Sequence, residues 1–263
     1  MNEEYVFSAL TGDYYARCNT LFRSLTNQAE IMLAALYEFV SHEPELSILS
    51  VGSGIGLFEV PLLEKLFHGG ILIPLFIGID NDEYACKFLD NTLSENFGAT
   101  LRYEVLPLPF QRYQTTHRFE LILFNHVFEY FADSHLRWIQ KSLALRTDTG
   151  KIMIFSPNRG GINKIYGEMM RHVNGFDPFF ADDLSSLLSG NAIKYSSSNL
   201  LAVCDISLLE ETDENSEKIM LLSFLTQIDC RKISPEILAE YSTYYKSIRI
   251  DHHIPHPTTL FVL

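Results

Sequence analysis

The sequence predicts an α/β fold built on a doubly wound, mostly parallel sheet, and two observations carry that expectation. From residue 46 onward, short apolar runs alternate with segments of helical periodicity, the pattern of strands covered on both faces by crossover helices. Two of these runs also end in an informative way: residues 48–51 pass into Gly52-Ser53-Gly54-Ile55-Gly56, and residues 76–79 stop at Asp80. A glycine-rich turn followed by an acid at the end of the next strand prepares a nucleoside site at the carboxyl edge of a parallel sheet.

Ahead of the sheet, residues 12–41 place Tyr15, Leu21, Phe22, Leu25, Ile31, Leu33, Leu36, Tyr37 and Val40 at spacings that predict one or two helices. Strands are then expected over 46–51, 75–79, 101–106, 120–125 and 151–155, with helices over 55–67, 82–97 and 134–145. After Ser156-Pro157-Asn158-Arg159-Gly160-Gly161 the rhythm breaks. Helices are expected at 162–173, 182–188, 216–227 and 235–245, and a strand at 199–206. A final strand at 258–263 is expected to enter the sheet antiparallel as its seventh member. The acidic stretch 210–217 reads as a solvated loop or helix start. Three stretches result: 1–43, an N-terminal helical segment contributing to a substrate cap; 44–158, a cofactor-binding core; and 159–263, further cap elements plus the last strands of the core sheet.

At 263 residues and 47% hydrophobic content, the chain can bury a sizeable interior. A formal net charge of −13 argues against a surface that tracks phosphates, so nucleic acid is not an expected partner and a small, cationic molecule is. Cys18, Cys86, Cys204 and Cys230 are scattered with no CxxC pair, which fits reduced thiols in a cytoplasmic protein. Met-Asn-Glu-Glu lacks the basic-then-apolar pattern of a signal peptide. The longest apolar stretch, 71–79, contains Pro74 and Gly78 and is too short to cross a bilayer, so no membrane partner is expected. With no long apolar seam, a monomer is expected.

Gly52, Gly54 and Gly56 alone admit two readings, because glycines also mark ordinary strand-to-helix turns. Their spacing to Asp80 favours the nucleoside reading, since that acid can accept the hydrogens of both ribose hydroxyls. Asp80 and Asp82 also precede a helix, which leaves capping as a competing role. The turn departs from GxGxxG, carries Glu59 three residues beyond Gly56, and lacks the GK[ST] ending of a phosphate loop. A nucleoside cofactor without phosphate, S-adenosylmethionine, suits it.

At these residues the chain resembles the class I methyltransferases. The resemblance implies a Rossmann-like, seven-stranded mixed sheet with a smaller substrate-binding cap, and S-adenosylmethionine as cofactor. It further implies that Gly52, Ser53, Gly54 and Gly56 meet the methionine portion, that Asp80 and Asn81 hold the ribose, and that Asn125-His126-Val127-Phe128-Glu129-Tyr130 borders the reacting methyl. Where the family has an acid after its third strand, this chain has Leu106-Pro107-Leu108-Pro109, so backbone groups around Leu108 would contact adenine.

Outside the core, the chain is similar over nearly its whole length to the histamine N-methyltransferase group. The shared pieces are Gly12-Asp13-Tyr14-Tyr15 through Phe22 to Gln28, Phe119-Glu120-Leu121-Ile122 into His126, Tyr130-Phe131-Ala132-Asp133, Asn199-Leu200-Leu201 to Ser207, Phe224-Leu225-Thr226 and Thr258-Thr259-Leu260-Phe261-Val262. This similarity implies an amine site walled by Tyr15, Phe22, Tyr130 and Tyr166, with His126 at a position where the family has Gln. Gln28 stands where the family has a substrate-binding Glu, so a neutral amide replaces a carboxylate. Glu30, two residues on, lies off the same helical face. Tyr15 and Phe22 also fit an ordinary apolar core stripe, and His126 a hydrogen-bonded structural histidine. No Cys or carboxylate completes a metal set around His252, His253 and His256, so no metal is expected.

The expectation is therefore an S-adenosylmethionine-dependent methyltransferase that N-methylates a small aromatic or heteroaromatic amine by in-line displacement. His126 is the candidate catalytic or orienting residue. An oxygen, thiol or protein side chain as acceptor, and a catalytically silent module of the same fold, stay open.

Overall fold

The computed structural model describes residues 7–131, 133–175, 177–210 and 216–263. Met1 to Glu4, most of the acidic stretch 210–217, and Ala132 of the Tyr130–Asp133 piece lie outside the described residues. Seven strands form one sheet in the order β3-β2-β1-β4-β5-β7-β6. They are β1 (Ile48–Val51), β2 (Phe76–Asp80), β3 (Tyr103–Pro107), β4 (Phe119–Asn125), β5 (Arg146–Pro157), β6 (Ser196–Asp205) and β7 (His253–Val262). The pairs β1–β2, β2–β3, β1–β4 and β4–β5 are parallel. Ile152 and Leu263 exchange both backbone hydrogen bonds at 3.0 Å, the narrow pair of an antiparallel ladder, so the chain's last strand enters with reversed direction as expected.

The chain divides into two compact units. One comprises Met32–Pro157, Phe179–Leu200 and Thr259–Leu263, and its strands alternate between two apolar layers, except at the irregularity between Phe119 and Leu121. Ile48, Phe76, Leu121, Leu123, Met153 and Phe155 enter one layer, while Leu49, Ile77, Ile79, Ile122, Phe124, Ile152 and Ile154 enter the other. Helices α2 (Gln28–Val40), α3 (Glu59–His68) and α4 (Glu83–Phe97) supply the first layer, through stripes such as Met32, Leu36 and Val40. Helices α5 (His135–Leu145) and α7 (Ala181–Gly190) supply the second, with Trp138, Ile139, Leu184 and Leu188. Burial on both faces is why these strands read as near-continuous apolar runs.

The other unit comprises Met1–Ile31, Asn158–Pro178 and Leu201–Thr258. Helices α1 (Gly12–Leu25), α6 (Asn163–Asn174), α8 (Ser216–Thr226) and α9 (Pro235–Ser247) surround a core of Phe22, Ile165, Met169, Leu221, Leu222, Leu225, Tyr241 and Tyr245. Asp229 ties the turn after α8: its carboxylate receives Arg231 Nε at 2.8 Å and Nη2 at 2.9 Å, and Lys232 Nζ at 3.1 Å. These cations, Arg231 first, hold its carboxyl down at about 2. All four cysteines are buried and none is in a disulfide. No described helix is long and apolar enough to cross a membrane.

Candidate functional site

Strand order reverses its direction of growth between β1 and β4, and in doubly wound sheets the crevice at such a switch point is where ligands bind. The glycine turn leaves β1 there. Gly52 and Ser53 donate backbone hydrogen bonds to Ile79 O at 2.7 and 3.1 Å, folding the turn across the end of β2. Gly52, Gly54 and Gly56 have φ of +71°, +52° and +83°. A Cβ on Gly52 would lie 2.5 Å from Val127 Cγ2, and one on Gly56 would collide with Leu89 Cδ1 of α4. At Gly54 the same Cβ meets nothing within 4 Å. The outer glycines are thus fixed by packing as well as conformation, and the middle one borders open space. The turn also delays α3, which begins at Glu59 rather than near residue 55.

Asp80 closes this arrangement. Its Oδ2 accepts from Gly54 N–H at 2.8 Å and its Oδ1 from Asp82 N–H at 2.9 Å. The backbone of Asn81 also acts on this group, and a carboxylate has about four acceptor sites, so capacity for a ligand hydroxyl remains. The capping role belongs to Asp82, whose side chain accepts from Tyr84 N–H at 2.8 Å and Ala85 N–H at 3.4 Å. Burial is the main influence on the Asp80 carboxyl and pushes its pKa above the usual value, against the lowering effect of the amides that donate to it. Asn81 is exposed beside it. Beneath the turn, Ser50 donates to buried Glu59 at 2.8 Å, which ties β1 to the start of α3.

Orphaned groups stand at the same edge. Ser53 Oγ and Asn125 Oδ1 are buried with no hydrogen-bond partner among the described residues. A polar ligand at the carboxyl ends of β1 and β4 would give them partners, whereas a purely apolar one would not. Together with the open face of Gly54 and the remaining acceptor capacity of Asp80, these groups fit a nucleoside cofactor bearing an amino-acid tail. Pro107 is the register partner of Asp80, so the segment after β3 starts beside the acid. Within it Leu108 N–H is already bonded to Leu106 O at 2.9 Å, and Pro107 and Pro109 have no N–H. That leaves side chains and carbonyls as the means of contact there. Lys141, on α5, donates to Phe110 O at 2.6 Å, Gln111 O at 3.3 Å and Tyr113 O at 2.5 Å, and so pins the rest of this loop. Its three carbonyl acceptors were not legible from a lysine on a helix face.

After β4, His126 adopts φ +51°, an uncommon conformation for a residue with a side chain, and its N–H bonds Phe155 O at 3.1 Å. Val127 seats on Gly52, and Phe128 is fully buried, edge-on to Phe124 at 4.9 Å. His126 Nδ1 lies 3.5 Å from Glu129 Oε1. Tyr130 is 40% exposed.

The remaining expected substrate residues are in the other unit. Phe22 stacks on Phe224 at 4.4 Å, Tyr15 approaches the same ring at 6.1 Å, and Phe22 meets His256 edge-on at 5.3 Å. Gln28 is buried, with Nε2 2.8 Å from Thr258 Oγ1 and 3.0 Å from His256 Nε2. The amide's two donors are thereby occupied inside the unit. Tyr166 is buried on α6. The three C-terminal histidines diverge: His252 pairs with Glu210 at 2.9 Å, the backbone of His253 pairs with Ile250, and His256 joins Gln28. Sequence reading missed His256 and Thr258 as partners of Gln28, and it gave Glu129 no role of its own within the segment 125–130. The only local signal for Glu129 was an acid three residues after His126.

No protein-family model and no curated protein sequence matches the chain. Solved structures do match in fold. The YcgJ protein of Bacillus subtilis superposes with TM-score 0.55 at 12% identity, covering 88% of this chain and 96% of that one. Coclaurine N-methyltransferase, bound to N-methylheliamine and SAH, gives 0.53 at 10% identity over 89% of this chain and 71% of that one. The plantazolicin methyltransferase BpumL, in complex with a triazolic desmethylPZN analog and SAH, gives 0.50 at 13% identity over 95% and 87%. The fold is that of the class I methyltransferases.

Proposed function

We propose that the chain is an S-adenosylmethionine-dependent methyltransferase acting on the nitrogen of a small aromatic or heteroaromatic amine. The observation that carries this reading is the coupling of the glycine turn to Asp80 at the sheet's switch point: Gly54 N–H to Asp80 Oδ2, 2.8 Å, beside orphaned Ser53 and Asn125. The SAH bound in two of the structural neighbours supports the choice of cofactor.

When bound, S-adenosylmethionine supplies a methyl group already activated on a sulfonium, so the protein's share is alignment and exclusion of water. In this reading Gly52, Ser53, Gly54, Gly56 and Asn125 hold the methionine portion, Asp80 and Asn81 the ribose, and Leu108 with its loop the adenine. His126 orients the acceptor or takes up its proton. Tyr15, Phe22, Tyr130 and Tyr166 supply aromatic area and a cation-attracting face for the amine. Gln28 contributes by holding His256 and Thr258 in place rather than as a substitute carboxylate. The N-terminal segment and the elements after residue 158 act as the substrate cap, in a monomeric cytoplasmic enzyme.

Methyl transfer from labelled S-adenosylmethionine to a panel of aromatic and heteroaromatic amines tests the proposal. Label on nitrogen is the expected result. Label only on oxygen, sulfur, protein or nucleic acid would overturn the acceptor assignment. Binding of SAH with no turnover on any acceptor would favour a silent module.

A further inference from the structure

Glu129 is 3% exposed, on the turn over Phe128–Tyr130 that follows β4. One carboxylate oxygen, Oε1, is 3.5 Å from His126 Nδ1; the other, Oε2, is buried with no hydrogen-bond partner among the described residues. Withdrawing a carboxylate from water costs several kcal/mol unless hydrogen bonds or an opposite charge replace the lost hydration. A single contact at 3.5 Å replaces little of it. The turn is also fixed: Phe128 fills the core beside it, Tyr130 N–H bonds Val127 O at 3.2 Å, and Val127 packs on Gly52 of the glycine turn. The orphaned oxygen is therefore held in a fixed segment that leaves β4 just after Asn125, and both Ser53 and Asn125 also carry orphaned atoms. Those two are neutral. Glu129 alone among the three bears a carboxylate, so the complementary ligand group there is a cation with N–H donors.

We propose that Glu129 binds an ammonium group, a role that rests on the methyltransferase reading and supplies the carboxylate that Gln28 does not. Two sources share this chemistry: the α-ammonium of the cofactor's amino-acid tail, and the protonated form of an acceptor amine. A charge-assisted hydrogen bond of this kind is stronger than a neutral one, and Gln preserves shape while removing the charge.

The test compares wild type, Glu129→Gln and Glu129→Asp by calorimetric titration with SAH, with 5′-methylthioadenosine, which lacks the ammonium, and with 2-phenylethylamine added to SAH-saturated protein. If the cofactor's ammonium is the ligand, Glu129→Gln weakens SAH about tenfold and leaves 5′-methylthioadenosine unchanged, while Glu129→Asp retains part of the difference. If the amine is the ligand, SAH is unchanged and 2-phenylethylamine weakens by a similar factor. Equal affinity of wild type and variant for all three probes overturns the proposal, as does equal weakening of SAH and 5′-methylthioadenosine, which marks a structural role. If Glu129→Gln does not fold, SAH binding no tighter than 5′-methylthioadenosine in wild type, with no 2-phenylethylamine binding, overturns it. Failure of wild type to bind both SAH and 5′-methylthioadenosine would instead sink the methyltransferase reading itself.

Discussion

Polar ties in the two units of this chain can span very different distances in sequence. In the sheet unit, Gly54 meets Asp80 within one strand–helix–strand repeat, 26 residues apart, and Ser50 meets Glu59 over nine. In the other unit, Gln28 reaches His256 and Thr258 across 228 and 230 residues, and Asn27 Oδ1 receives Val203 N–H across 176. Short-range ties are written in a local pattern of residue types and recur wherever that pattern folds. Long-range ties depend on how separated stretches pack, so a residue's role there is set by partners that its neighbours in sequence do not announce.

The sharpest way to break this contrast is at the glycine turn. Gly56→Val combines a positive φ with the collision at Leu89, and is expected to abolish SAH binding and lower thermal stability; αL backbone alone costs about 1–3 kcal/mol. Gly54→Ala, also at positive φ but with open space for its Cβ, should fold with only the conformational cost, and a melting curve on each variant checks the difference. Next comes Asp229→Ala in the other unit, where removing a carboxylate shared by Arg231 and Lys232 should cost about 1–3 kcal/mol in urea unfolding while leaving SAH affinity within twofold. Because that carboxyl is depressed to about 2, its contribution is present above the ordinary aspartate range and is lost as pH falls toward 2. Wild type should lose stability over that interval, and the variant should lose less.

Gln28→Glu probes the long-range tie directly. Two donors to His256 and Thr258 disappear, so stability should fall by about 1–2 kcal/mol and no histamine methylation should be gained. A gain of histamine activity would restore the substrate role that its sequence position suggests. The smallest effect is expected at Lys141→Met. Releasing the carbonyls of Phe110, Gln111 and Tyr113 should weaken SAH roughly severalfold through the loop after β3, with little change in the melting temperature.

The parallel strands and most helices were legible because burial on both faces writes itself as apolar runs, and α5, α8 and α9 fall within two residues of their expected bounds. Where bounds moved, a physical cause is evident. The glycine turn occupies the start expected for α3, and β5 extends back to Arg146 through a register shift against β4, where Asp148-Thr149-Gly150 reads as a turn. In the candidate site, the turn and Asp80 were legible, and Asp82 proved to be the cap that competed for Asp80's role. Glu129 was not legible because burial, rather than residue type, makes an acid notable. For Gln28, its position suggested a ligand contact, and the partners of its amide, His256 and Thr258, lie too far along the chain for its neighbours in sequence to announce them.

On the proposed reading, the glycine turn and Asp80 act as one nucleoside-binding device. Because burial raises the Asp80 carboxyl, the acid is protonated at higher pH than an ordinary carboxylate, and SAH affinity should fall on acidification before the ordinary range is reached. Titrating SAH into wild type, Asp80→Ala and Asp80→Asn across pH is the most direct measurement. Wild type is expected to bind, Asp80→Ala to bind roughly 10- to 100-fold more weakly at neutral pH, and the acid-side loss of affinity to disappear in Asp80→Asn. Absence of SAH binding by wild type, or equal affinity in all three proteins at every pH, would contradict that reading.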